Sequence, residues 1–118
     1  MGLTHLNVTV ASPARTTRQV GLTFLVDSGT AYSVLPKSVL HKLGIKAHST
    51  QSFTLADGSQ IRRRIGDAVF KLNSARASSP VIFGEKGDSV LLGSISLEAM
   101  GLMLDPIKRE LRPLPMVL

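Results

Sequence analysis

The stretch Phe24-Leu25-Val26-Asp27-Ser28-Gly29-Thr30 decides how the rest of the chain is read. Its three apolar residues make the short run expected of a buried strand, and the run stops at a carboxylate followed by small hydroxyl residues and a glycine. A carboxylate at the end of such a strand is costly unless its oxygens find donors or a second group shares its charge. Ser28 and Thr30 supply hydroxyls, and Gly29 lets backbone amides come close. Asp-Ser-Gly is also an ordinary turn sequence, so the triplet alone leaves both readings open.

Working outward, His5 to Val10 alternates and predicts a strand with Leu6, Val8 and Val10 on one face. Ala11 to Gln19 reads as a polar connection, and Val20 to Val26 as the strand that delivers Asp27. After the loop, Tyr32 to Leu35 is a short extended piece. Pro36 then opens a helix over Lys37 to Leu43, with Val39, Leu40 and Leu43 inward and Gly44 as its stop. His41 and Lys42 fall in its last turn, where positive charge is favourable, so His41 needs no catalytic explanation.

Ser52 to Ala56 and Gln60 to Ile65 flank Asp57-Gly58, a hairpin signal strongest for a two-residue turn. Phe53, Leu55, Ile61 and Ile65 are few apolar residues for two arms, so the hairpin is expected to project from the body. Alternation puts Arg62 and Arg64 on one face and Arg63 on the other. Gly66-Asp67 reads as a break, Ala68 to Leu72 as a strand, and Asn73 to Ser79 as a polar turn region. Pro80 to Phe83 and Ser89 to Leu92 are short strands around a charged turn. Ser94 is placed to cap a helix over Ile95 to Met100, closed by Gly101, with Ile95, Leu97 and Met100 as candidate core residues. Asp105-Pro106 is a turn before an extended tail.

A chain of 118 residues with 43% hydrophobic residues supports one domain, residues 1–118, with a real core. The absence of cysteine excludes disulfides, thiolate nucleophiles and cysteine-held zinc. No apolar run is long enough to span a bilayer, and the first residues lack a signal-peptide pattern. That leaves the compartment open, with the cytoplasm favoured. Met1-Gly2 resembles an acylation start, but Leu6 stands where serine or threonine is wanted. The formal charge of +6 admits a polyanionic partner. Only Arg62-Arg63-Arg64 forms a basic run, however, and four Phe, one Tyr and no Trp offer little for base stacking, which disfavours nucleic acid.

Three elements in order resemble the retropepsin-like aspartic proteases, the single-domain homodimeric kind related to retroviral proteases. They are Asp27-Ser28-Gly29 after apolar residues, Leu55-Ala56-Asp57-Gly58-Ser59 at a hairpin, and Leu91-Leu92-Gly93 opening onto a helical segment. The resemblance runs over about residues 5 to 112. It implies an all-β, small closed barrel-like fold with a flap hairpin at about 52–65 and one or two short helices. It also implies an aspartic endopeptidase that needs no metal or organic cofactor and acts on an extended peptide.

Only one Asp-Ser-Gly occurs, whereas peptide hydrolysis of this type needs two carboxylates sharing a proton. The second Asp27 is therefore expected from a second copy on a two-fold axis. By the resemblance, Asp27 is catalytic and Ser28, Gly29 and Thr30 support it. Ala31, Tyr32, Asp57, Gly58 and Ser59 face substrate, and Leu91, Leu92 and Gly93 form the supporting glycine loop. Viral members carry acidic residues soon after the triplet and an arginine after the second glycine. Here Ala31-Tyr32 and Ser94 stand in those places, so packing, with Tyr32 the candidate, is expected to replace that brace. Pro113 and Pro115 interrupt any continuous terminal ladder. The alternatives are a catalytically inactive binding or dimerisation module of the same fold, and a basic polyanion-binding β domain. Ser28 lacks the surroundings of a serine nucleophile.

Overall fold

The computed structural model describes residues 5–115 and 117; the possible acylation start at Met1-Gly2 lies outside the described residues. In chain order the elements are β1 (His5–Ala11), β2 (Gln19–Val26), β3 (Ser33–Pro36), α1 (Lys37–Lys42), β4 (Ser49–Thr54) and β5 (Gln60–Leu72). They continue with β6 (Ala75–Gly84), β7 (Leu91–Leu92), α2 (Ser94–Ala99), β8 (Leu102–Leu104) and β9 (Leu111–Pro113). The fold is all-β in character and resembles a barrel, as expected.

Closure comes from one pairing. The main sheet runs β1-β2-β7-β3-β6-β5-β4, and β1 returns to pair with β5 from Thr9↔Lys71 to Ala11↔Val69. Six strands thereby form a ring, which leaves β4, paired only with β5, as the open edge of this sheet. Inside it, Phe24, Phe70, Phe83, Leu35 and Leu92 are fully buried, together with Leu40 of α1 and Leu97 of α2. The Phe24 and Phe70 rings meet at 6.0 Å and 51°. Alternation on β1 has its expected outcome: Val8 and Val10 are buried and Leu6 packs against the same core.

Two expected breaks are absent because each local signal serves a different purpose. β5 runs straight through Gly66-Asp67, with Gly66 paired to Val81. A Cβ at Gly66 would stand 2.9 Å from the Phe83 ring and 3.0 Å from the Lys46 carbonyl oxygen, so the glycine permits close approach within a strand. Nor is Asn73 to Ser79 a broad turn. The reversal takes only Asn73 and Ser74, with Asn73 at φ 54, and β6 starts at Ala75. Its small residues pair with β5 from Leu72↔Ala75 onward.

The β4–β5 hairpin projects as expected, and the register explains why. β6 reaches only as far as Ile65↔Ile82, so Gln60 to Arg64 have β4 as their sole neighbouring strand. Its turn differs from the two-residue form. The Leu55 N–H donates to Ser59 O at 2.8 Å and the Gly58 N–H to Leu55 O at 2.9 Å, with Gly58 at φ 87. That is a three-residue connection ending in a left-handed bulge residue, a conformation suited to glycine.

Candidate active site

Asp27 stands just past β2, and two ladders meet beneath it. β2 pairs in parallel with β7 through Leu25↔Leu91 and Val26↔Leu92, while β7 touches β3 at Val34↔Leu91. The Asp27 N–H continues this register by donating to Leu92 O at 3.1 Å. The strands before and after the loop are thus held by Leu91-Leu92, which ties the first motif to the third.

Each carboxylate oxygen of the half-buried Asp27 has one donor. The Gly29 N–H reaches Oδ1 at 3.0 Å, and Thr30 Oγ1 reaches Oδ2 at 2.8 Å. The Thr30 N–H closes the turn on Asp27 O at 3.2 Å. Ser28, at the loop apex, is exposed. It rims a cavity of about 240 Å³ shared with Leu97, Leu102 and Leu114.

The loop rests on the start of α2. Ser94 N–H donates to Thr30 O at 2.8 Å and Ile95 N–H to Ala31 O at 3.1 Å, so the first helical amides are satisfied by the loop. Ser94 is therefore the first helical residue; Gly93 holds the cap position, and no side-chain cap bond forms. Ile95 is exposed, and the inward positions are Ser96, Leu97 and Met100. At Gly93 a Cβ would lie 2.4 Å from Ala31 O, a distance that excludes every side chain.

Tyr32 does not supply the expected brace at Ser94. Its ring meets Phe53 of β4 edge-on at 6.1 Å, and both pack on the small cluster of Val34, Ile65 and Ile82. Behind the loop, three buried serines do the bracing. Gly93 N–H donates to Ser33 Oγ at 3.0 Å, Ser33 and Ser96 hydroxyls meet at 2.5 Å, and Ser96 and Ser79 at 2.7 Å. Ser79 donates to Pro80 O. A hydroxyl has one proton, so the order runs Gly93 to Ser33 to Ser96 to Ser79 to the carbonyl. Sequence patterns give no sign of this chain, because serine reads as turn or surface.

Between the Asp27 loop and the hairpin is a cavity of about 420 Å³. Thr30 stands at its end nearest Asp27; Val34, Phe53, Ile61, Ile82 and Leu91 supply apolar wall, and Leu55 borders it. Asp57, Gly58 and Ser59 sit at the exposed hairpin tip, outside that lining. There Asp57 Oδ1 accepts the Ser59 N–H at 2.9 Å and its hydroxyl at 2.5 Å, and these bonds lower the Asp57 pKa. Ala31 is exposed beside the loop. The cavity also contains an ion pair that sequence reasoning missed, Arg63 with Asp88. A larger cavity of about 520 Å³ lies behind the hairpin root, lined by His41, Lys46, His48 and Arg64 among others and away from Asp27.

Asp105 is committed elsewhere: Oδ1 accepts Ile107 and Lys108 N–H groups at 2.9 and 3.0 Å, and Arg112 Nε stands 3.0 Å from Oδ2. This is the turn expected at Asp105-Pro106. The tail strand β9 pairs with β8 of the same chain, Leu102↔Pro113 to Leu104↔Leu111. Among the described residues, no group of three or more His, Asp or Glu is placed to hold a metal, and no helix is long and apolar enough to cross a membrane.

Comparison with known proteins agrees with this geometry. The sequence model of the aspartyl protease family matches residues 12–95, which include the Asp27 loop, the hairpin and the Leu91-Leu92-Gly93 loop. Among solved structures, the solution structure of simian foamy virus (mac) protease aligns with a TM-score of 0.52 at 16% identity. The alignment covers 79% of this chain and 92% of that one, a likeness of fold. No curated protein sequence matches the chain.

Proposed function

The chain belongs to the aspartyl protease family, and on that premise we propose that it is an aspartic endopeptidase whose active site forms between two copies. The observation that carries this reading is the state of Asp27: one donor on each oxygen, in a loop braced by Gly93 and α2, with one such motif per chain. A lone carboxylate of this kind activates water poorly, whereas two in contact share a proton and divide the roles of base and acid.

In the proposed reaction, the ionised Asp27 takes a proton from water as its oxygen attacks the scissile carbonyl carbon. The protonated Asp27 of the second copy gives its proton to the carbonyl oxygen. The tetrahedral species then collapses, the C–N bond breaks, and the departing nitrogen takes up a proton from the pair. Gly29 and Thr30 keep both carboxylates oriented, and exposed Ser28 is free to bond across the axis. The β4–β5 hairpin, about 52–65, serves as a flap, with Asp57, Gly58 and Ser59 near the peptide backbone and Ala31 and Tyr32 beside it. An extended substrate pairs through its backbone and places apolar side chains against Val34, Ile61, Ile82 and Leu91.

The test is cleavage of a diverse peptide library from about pH 3 to pH 8 while chain concentration is varied. At low concentration the rate is expected to rise with the square of chain concentration. Asp27→Asn is expected to lower it roughly a thousandfold. Adding that variant to the unaltered chain should reduce the cleavage the unaltered chain shows alone, because mixed pairs hold one ionisable Asp27. Cleavage undiminished in Asp27→Asn rejects the mechanism.

A further inference from the structure

The apolar cleft has one fully charged wall. Arg63 of β5 and Asp88 of the Gly84–Asp88 loop are its charged lining residues, and they face each other across the boundary between hairpin and body. Their contact is bidentate: Nε to Oδ2 at 2.7 Å and Nη2 to Oδ1 at 3.0 Å. Side-chain exposures are only 17% and 24%, so the pair is shielded from water more than an ordinary surface bridge. Asp88 Oδ2 also accepts the Glu85 N–H at 2.8 Å, and Arg63 Nη1 donates to Arg62 O at 2.9 Å. Three neighbouring charges are engaged or turned away, while Lys86 is exposed on the same loop and outside the cleft lining. Glu85 is held by Lys37 at 2.6 Å, Arg64 lies over the Phe83 ring on the other face of β5, and Arg62 shares that face.

We propose that the Arg63–Asp88 pair is a specificity-determining wall: by cancelling its own charge it admits uncharged side chains and rejects charged ones. This deepens the function proposed above and rests on the cleft being where the substrate peptide lies. The physics is asymmetric. While paired, neither group offers a net charge to a ligand. A charged substrate side chain placed against the wall either meets a like charge or must break the bidentate contact to reach an opposite one. Removing one partner leaves the other unpaired beside apolar residues, and such a group seeks an opposite charge from whatever enters the cleft. The wall's selectivity therefore converts in opposite senses from its two sides. Asp88→Asn frees Arg63 and should recruit acidic side chains. Arg63→Met frees Asp88 and should recruit basic ones.

The experiment scans one peptide series, with Leu, Asp, Glu, Lys or Arg at each position in turn. Cleavage is measured with the unaltered chain, Asp88→Asn, Arg63→Met and the exchanged pair Arg63→Asp with Asp88→Arg. Binding of the same peptides is measured by fluorescence anisotropy with Asp27→Asn as background. Folding of every variant is checked by circular dichroism. At one position the preference for Leu over acidic residues is expected to shift by roughly tenfold toward acid in Asp88→Asn. It should shift toward Lys and Arg in Arg63→Met, mainly through KM, and return to Leu in the exchanged pair. Equal selectivity in all folded chains overturns the wall, as does a shift of the same sign in both single variants. If the selectivity of binding shifts while no chain cleaves, the wall stands and the peptidase reading fails. If the chain cleaves without a shift, the reverse holds. Should one single variant fail to fold, the other single variant and the exchanged pair still decide it.

Discussion

A β-carbon on Gly93 would stand 2.4 Å from the Ala31 carbonyl oxygen and 2.7 Å from the Tyr32 carbonyl carbon, both backbone atoms of the loop that carries Asp27. The backbone at Gly93 is extended, φ −89 and ψ 171, so alanine would suffer there from crowding alone. Gly93→Ala is expected to lose about 3 kcal/mol or more of stability in urea denaturation. Gly21→Ala, where an added carbon meets nothing within 4 Å, should change it by less than about 1 kcal/mol. Asp27, Gly29 and Thr30 were legible in the sequence because the donors and the carboxylate they serve lie within a few residues of one another. The need for glycine at position 93 arises from a loop more than half the chain away, although the apolar-apolar-glycine pattern marked the place.

At the scale of elements, the buried serine chain connects what the strands alone leave separate. Ser33 follows the Asp27 loop, Ser96 lies on α2, and Ser79 lies on β6; all three are almost wholly buried. Ser96→Ala would leave the Ser33 proton without its acceptor and Ser79 without its donor. It is expected to cost roughly 1–3 kcal/mol in denaturant unfolding. The same substitution should lower cleavage by loosening Gly93. None of these serines stood out in the sequence, since each becomes a core residue only when three elements converge. Gly66-Asp67 illustrates the opposite error. A glycine beside an aspartate is a sound turn signal, yet here β5 continues through it in register with β6, and the glycine is needed because Phe83 and Lys46 crowd the position. Alternation placed Arg63 opposite Arg62 and Arg64 correctly. Its partner Asp88 was not legible, being on a loop 25 positions later.

For the whole molecule, the paired carboxylates set the response to acid. Arg63 holds Asp88 below the ordinary 3.8, and Lys37 holds Glu85 below 4.5. Backbone N–H groups of Lys108 and Ile107 hold Asp105 below 3.8. A carboxyl lowered in the folded state adds stability at pH values above its unfolded pKa. That stability is lost as pH falls through the lower folded value. The thermal midpoint is therefore expected to be insensitive to these groups between about pH 5 and 7 and to decline below about pH 4. Glu85 is well exposed and contributes little, so Asp88 and Asp105, whose side chains are more shielded, should carry most of the effect. Asp88→Asn should lower the midpoint at pH 7 and flatten the decline in acid. A decline as steep as that of the unaltered chain would assign acid sensitivity to other groups.

The sequence by itself determined the strand that ends at Asp27, the hairpin at Asp57-Gly58, the glycine loop at Leu91-Leu92-Gly93 and the all-β class. Each depends on a period or a motif written in adjacent residues. Only the tertiary structure decided the ring closed by β1 against β5, the serine chain behind the loop, the close approach at Gly66 and the Arg63–Asp88 wall. Those features join residues distant in the chain, and their energy exists only once folding has excluded water and placed both partners at bonding distance.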